Sequence, residues 1–288
     1  MLKGIRTMKY VRLIAFILLY LAVYFIVSNY ISVLFIVLSL IKELVKNPAA
    51  LFDEALHDKI NLEIMYDYIG SSIWFMVAAA VISFPIYALI LRLRKKRITK
   101  FCEFHRISFR HVAITALMGI SLNFIVEYFV SVTSLDDLSP YVEQILNQIF
   151  DNNDFLAILI SIGIVGPFIE EVIFRGLILN ELRQNMPVVP AVIIQAILFG
   201  VYHGNLTQGI YATFLGIVLG LVCIKMNSIW APVIIHMFFN STSTVLGKLV
   251  DPQIFVRYQY LMLFGSVVLF IATSVMTWRD NERVMGTE

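Results

Sequence analysis

The chain has 288 residues, 59% of them hydrophobic and 15% charged, with a formal net charge of +2. Such a composition excludes an ordinary soluble domain, and so small a charge makes no case for a nucleic-acid partner. Its two cysteines, Cys102 and Cys223, exclude a disulfide framework and a cysteine-rich zinc site.

Spanning the hydrocarbon of a bilayer takes about 20 apolar residues of helix. Eight stretches qualify in chain order: Val11–Leu40, Tyr68–Leu91, Val112–Val132, Phe155–Leu179, Val188–His203, Gln208–Lys225, Ile229–Leu246 and Tyr260–Trp278. The first follows a basic lead, as in a signal peptide. Its apolar run is too long for one and lacks a small-residue cleavage site, so an uncleaved span is expected. It is also long enough to tilt or to project beyond the bilayer. Between the third and fourth spans, YVEQILNQIF reads as a short interfacial helix. The expected fold is an all-α polytopic membrane bundle of about eight transmembrane helices.

Basic residues orient the bundle. Sixteen of the 22 Lys and Arg fall on one side: the N-terminus, the loop RLRKKRITKFCEFHRISFR, Arg183, Lys225, Arg279 and Arg283. Five fall on the other, namely Lys42, Lys46, Lys59, Lys248 and Arg257. There the loop after the third span carries Asp136, Asp137, Glu143, Asp151 and Asp154 with no base at all. The positive-inside rule then puts both termini in the cytoplasm, of a protein expected in the cell membrane.

The remaining basic residue, Arg175, lies inside a span, in GPFIEEVIFRG (166–176). A charge at the bilayer centre costs at least ~2.5 kcal/mol, so intramembrane ionisable residues call for a function. Four residues of spacing let Glu171 reach Arg175 and set His236 one turn from Asn240, while Glu170 points elsewhere. Phe199 lies one turn before His203 and is expected to pack beneath its imidazole. Glu127, in the third span, has no evident partner in the sequence.

Depth links these groups. Spans four and five form an antiparallel pair turning near Asn185–Pro187, which sets Glu170 and His203 at nearly one level. With the membrane boundary taken at Leu179 for span four and at the polar turn Met226–Ser228 for span seven, Glu170 and His236 both lie ~13 Å deep at 1.5 Å per residue. Taken singly, an intrahelical Glu–Arg pair or a membrane histidine can serve structure alone. Three such groups at one depth point to a site.

A carboxylate beside an imidazole in a dehydrated cavity can hold a water and take its proton. A histidine N–H and an asparagine amide on a facing helix suit the oxyanion that forms on a peptide carbonyl. Glu171 would neutralise Arg175 and hold the helix so that Glu170 faces the water. Gly163, Gly166 and Pro167 can break the helix and open room for water or an extended substrate. The same atoms suit a catalytic zinc, with Glu170, His203 and His236 as ligands and one open position. HExxH is missing, and the choice between zinc and a bare carboxylate stays open.

EEVIFRG resembles the EExxxR motif of the CPBP family, the CaaX proteases and bacteriocin-processing enzymes also known as the Abi family. FGVYH resembles its FxxxH motif and HMFFN its HxxxN motif, in the family's order and each on its own span. The resemblance covers Phe155 to about Leu246. It implies an intramembrane (metallo)endopeptidase acting on a peptide or membrane protein. In it Glu170 and His203 activate water, and His236 and Asn240 stabilise the oxyanion or help hold a metal. Residues 1–150 are then about three N-terminal spans with a basic cytoplasmic loop, 151–250 the catalytic core, and 251–288 the last span and tail. A proton- or ion-coupled transporter is the rival class, and a noncatalytic immunity or partner protein the third.

The polar stretch Gly204–Gly209 is expected to be a non-helical loop lining a water-filled cavity. Depth favours a cytoplasmic opening and the loop's direction favours the opposite face. The expectation is cytoplasmic.

Overall fold

The computed structural model describes residues 2–133, 135 and 140–279. Asp136, Asp137 and Arg283 of the charge count lie outside them. The described residues are almost wholly helical, with no strand.

Among the described residues, nine helices of more than one or two turns form the bundle: α1 (Leu2–Lys46), α2 (Glu54–Leu93), α3 (Phe109–Thr133), α4 (Pro140–Asn152), α5 (Phe155–Arg183), α6 (Val188–Tyr202), α7 (Leu206–Met226), α8 (Trp230–Leu249) and α9 (Pro252–Arg279). Each of the eight expected spans is one of them, and α4 is the expected short helix. Among the described residues six are long and apolar enough to cross a membrane: α1, α2, α3, α5, α7 and α9. At 15 residues α6 rises only about 21 Å. Six polar residues in α8 (His236, Asn240, Ser241, Thr242, Ser243, Thr244) set it apart as well. These two short or polar helices position His203 and His236. The protein is a multi-pass integral membrane protein.

The first two helices outrun the bilayer. With 45 and 40 residues they are about twice as long as ~30 Å of hydrocarbon at 1.5 Å per residue. Their turn is built by Pro48–Leu51 and by Asp53, whose carboxylate caps α2 by accepting from the Leu56 amide at 3.1 Å. Ala50, Ile60 and Ile64 pack there with Leu40 and Leu44 in a small core of their own. The second span thus starts 14 residues before the expected Tyr68, because amphipathic helix continues past the apolar run.

At the opposite end, polar residues tie α1, α2 and α5 together. Arg94 pairs with Glu181 and Tyr20, Tyr20 also donates to Glu181 at 3.1 Å, and Arg183 meets Glu103 at 3.1 Å. Asn180 donates to the Phe101 carbonyl at 2.9 Å. Part of the basic loop therefore has structural partners, besides setting topology.

Close packing places the two histidine helices. A Cβ on Gly200 of α6 would stand 2.1 Å from Thr213 Oγ1 and 2.5 Å from the Gly209 carbonyl of α7. Only a hydrogen fits, as is common where membrane helices meet closely. Gly200→Ala must push α6 from α7 one turn before His203. It is expected to cost ~1–3 kcal/mol in thermal or denaturant unfolding of the detergent-solubilised protein.

Candidate active site

The site begins with a helix that is not a regular α-helix. Within α5, Leu159–Val165 and Val172–Ile178 are π-helical, flanking the α-helical turn Gly166–Glu171. Wide turns of this kind occur mostly at functional sites. Pro167 has no N–H, so it cannot donate to the carbonyls four and five residues back, Gly163 and Ile162. Helix α8 supplies the donors instead: Asn240 Nδ2 to the Ile162 carbonyl at 3.0 Å and Ser241 Oγ to the Gly163 carbonyl at 3.4 Å. This docking sets the register of α8 against α5, and with it the depth of His236.

One turn further, Glu171 and Arg175 are wholly buried, Arg175 Nη1 donating to Glu171 Oε1 at 2.8 Å. Nη2 reaches the Gly216 carbonyl at 3.4 Å and the guanidinium lies 4.3 Å from the centre of the Phe199 ring. The expected pair forms. The structure adds a link that spacing could not reveal: Glu171 Oε1 also lies 2.8 Å from His236 Nδ1. A carboxylate only accepts, so Nδ1 carries the hydrogen and Nε2 is left to face the site. That Nε2 stands 3.8 Å from Glu170 Oε2. A chain Arg175–Glu171–His236–Glu170 results, running from full burial to a cavity wall.

His203 is the C-cap of α6. Its Nδ1 donates to the Phe199 carbonyl at 2.8 Å, which again leaves Nε2 free of the helix. Phe199 lies edge-on to His203, with centroids 4.8 Å apart at 86°, and equally to His236 at 5.7 Å and 89°. It packs against both imidazoles, where the spacing had suggested one.

Glu170, His203, His236, Asn240 and Phe199 line one cavity of about 430 Å³. Glu171 and Arg175 face away from it. Gln208, from the stretch expected to line a cavity, does line it; so do Glu127, Tyr211 and Ser243, to none of which sequence reading assigned a place there. Glu127 does have a partner: Ser243 Oγ donates to its Oε1 at 3.1 Å. The one available signal was an unexplained carboxylate in a span.

Two expectations change. The loop 204–209 is only a turn, because Asn205 caps α7 by accepting from the Gln208 amide at 2.8 Å and helix resumes at Leu206. The depth estimate also shifts. Asn180 and Glu181 are buried and partnered, so the polar run after Leu179 does not mark the water boundary. The cavity is lined by Val130, Gln208 and Thr244, near the ends of α3, α7 and α8 that face away from the basic loops, and by Phe150 of α4. It approaches the acid-rich side, opposite to the expected opening. In a background free of Cys102 and Cys223, Asn205→Cys is expected to react with an impermeant thiol reagent from that side only.

As the side chains stand, no group of three or more His, Cys, Asp or Glu among the described residues is gathered to hold a metal ion. Glu170, His203 and His236 share the cavity without forming a ligand set.

This arrangement defines a class: a membrane-embedded helix bundle with a carboxylate and two oriented imidazoles in an internal cavity. Comparisons with known proteins agree with it. Residues 152–242 match the family model described as Type II CAAX prenyl endopeptidase Rce1-like. The Bacillus subtilis (strain 168) protein named "Putative membrane peptidase YdiL" is 30% identical over 91 residues, 32% of this chain and 37% of that protein. The chain thus spans little more than a third of that relative's length. No solved structure matches. The segment bearing the site is thus similar to CAAX endopeptidases, in keeping with the resemblance of its three motifs.

Proposed function

We propose that this protein is an intramembrane endopeptidase hydrolysing a peptide bond of a membrane-associated peptide or protein. One observation carries the reading: Glu170, His203, His236 and Asn240, from three helices, line a single cavity inside an apolar bundle. Glu170 is the general base, with His203 Nε2 helping to hold the water. The water oxygen attacks the carbonyl carbon as its proton passes to Glu170. The oxyanion is met by the second N–H of the Asn240 amide, with His236 beside it on the ring that Glu171 orients. The C–N bond then breaks, Glu170 returns the proton to the leaving nitrogen, and a carboxylic acid and an amine result, the acid then passing its remaining proton to the amine. Glu171 and Arg175 do not touch substrate; they hold the His236 ring.

Lys and Arg asymmetry supports a cell-membrane protein with both termini cytoplasmic. The purified full chain, given a library of fluorogenic peptides in detergent micelles, should cleave a subset of them with no ion gradient. A transporter of the same fold would cleave none. Activity is expected to survive chelation in a preparation free of metal. One equivalent of zinc, lost on His203→Ala and required for turnover, would overturn the carboxylate–water mechanism.

A further inference from the structure

Glu127 is a carboxylate inside the bundle that the proposed hydrolysis does not use. It lies on α3, and through Ser243 it is anchored to α8. It borders two cavities at once: the one holding Glu170, and a second of about 300 Å³ lined by Asp251, Phe255 and Val256. Glu127 and Ser243 line both, so this hydrogen-bonded pair stands where the two meet. Asp251 borders the second cavity, Glu127 both, and Glu170 the first. Among the described residues, no Lys or Arg lines either cavity. The sequence of residues 134–154 is acidic and also lacks Lys and Arg.

Adjoining cavities in low-dielectric walls that carry acids and no Lys or Arg focus a negative potential. A carboxylate entering there meets three acids, whereas an ammonium or guanidinium is drawn inward. Resting on the endopeptidase reading, we propose that Glu127 is a specificity residue. It holds a lysine or arginine side chain of the substrate beside the scissile bond, so that cationic segments are preferred to acidic ones.

The test separates selection from hydrolysis. Binding of labelled decapeptides to the full-length Glu170→Gln protein in micelles is measured with Lys, Gln or Glu scanned through each position. At one position the Lys peptide is expected to bind at least about tenfold tighter than the Glu peptide, the equivalent of ~1.4 kcal/mol. Adding Glu127→Gln should bring that ratio close to one, Glu127→Lys should invert it, and Glu127→Asp should retain it. Glutamine is nearly isosteric and can still accept from Ser243, so folding is not at stake in that variant. Equal binding of Lys and Glu peptides, or a Lys preference that persists in Glu127→Gln, overturns the proposal. Cleavage of the same peptides by the unsubstituted protein is read separately: its absence sinks the endopeptidase reading, while the binding ratios still decide the role of Glu127.

Discussion

Glu170→Gln is expected to lower peptide cleavage by ~10²–10⁴-fold, the usual contribution of a positioned acid–base group, while leaving the protein folded and inserted. The structure supports that separation of activity from folding. Glu170 faces the cavity and lies 3.8 Å from His236 Nε2, whereas the buried pair one residue on is formed by Glu171. Glutamine keeps the shape and loses the base. Turnover of the best library peptide, beside an unchanged melting curve in detergent, is the measurement. Full activity in this variant would refute the mechanism.

Arg175→Ala should act in the opposite way, on folding first. Removing the guanidinium leaves Glu171 wholly buried without a counter-charge, which in such settings costs ~3–5 kcal/mol. It also withdraws the cation stacked on Phe199 and a donor to the Gly216 carbonyl of α7. Most of the folded yield should be lost. Lysine should not rescue it, since an ammonium has no planar face to stack and no fork to bridge two acceptors. Glu171→Gln should be milder in stability, because the amide oxygen still accepts from His236 Nδ1, but activity should fall as the ring loses its charged anchor. Arg175→Met combined with Glu171→Gln removes both charges and should recover stability without recovering full activity. If Glu171→Gln proves inactive while Glu170→Gln works, the two glutamates have exchanged roles.

How much of this was legible beforehand depends on the range of the interaction. Helical spans follow from twenty-residue apolar runs, and all eight are helices. The Glu171–Arg175 pair follows from four-residue spacing, since one helical turn brings the groups together wherever the helix lies. The convergence of Glu170, His203 and His236 was legible from antiparallel helix lengths alone. Their depth was misjudged because polar residues after Leu179 resemble a water boundary, yet Glu181 is buried against Tyr20 and Arg94, more than eighty residues distant in the chain. The polar stretch after His203 reads as a loop, but a single Asn205 cap restarts the helix at once.

Local chemistry, written in periods of three to five residues and in runs of twenty, was therefore enough for the membrane class, the helices, the motif residues and the internal ion pair. Contacts between helices were not. That Glu171 holds His236, that α8 supplies the donors Pro167 cannot, that Glu127 stands between two cavities and that the site approaches the acid-rich side all depend on helix rotation and register. Those are set by side chains meeting across the bundle, such as the bare Gly200 against Thr213, and no spacing along one chain segment encodes them.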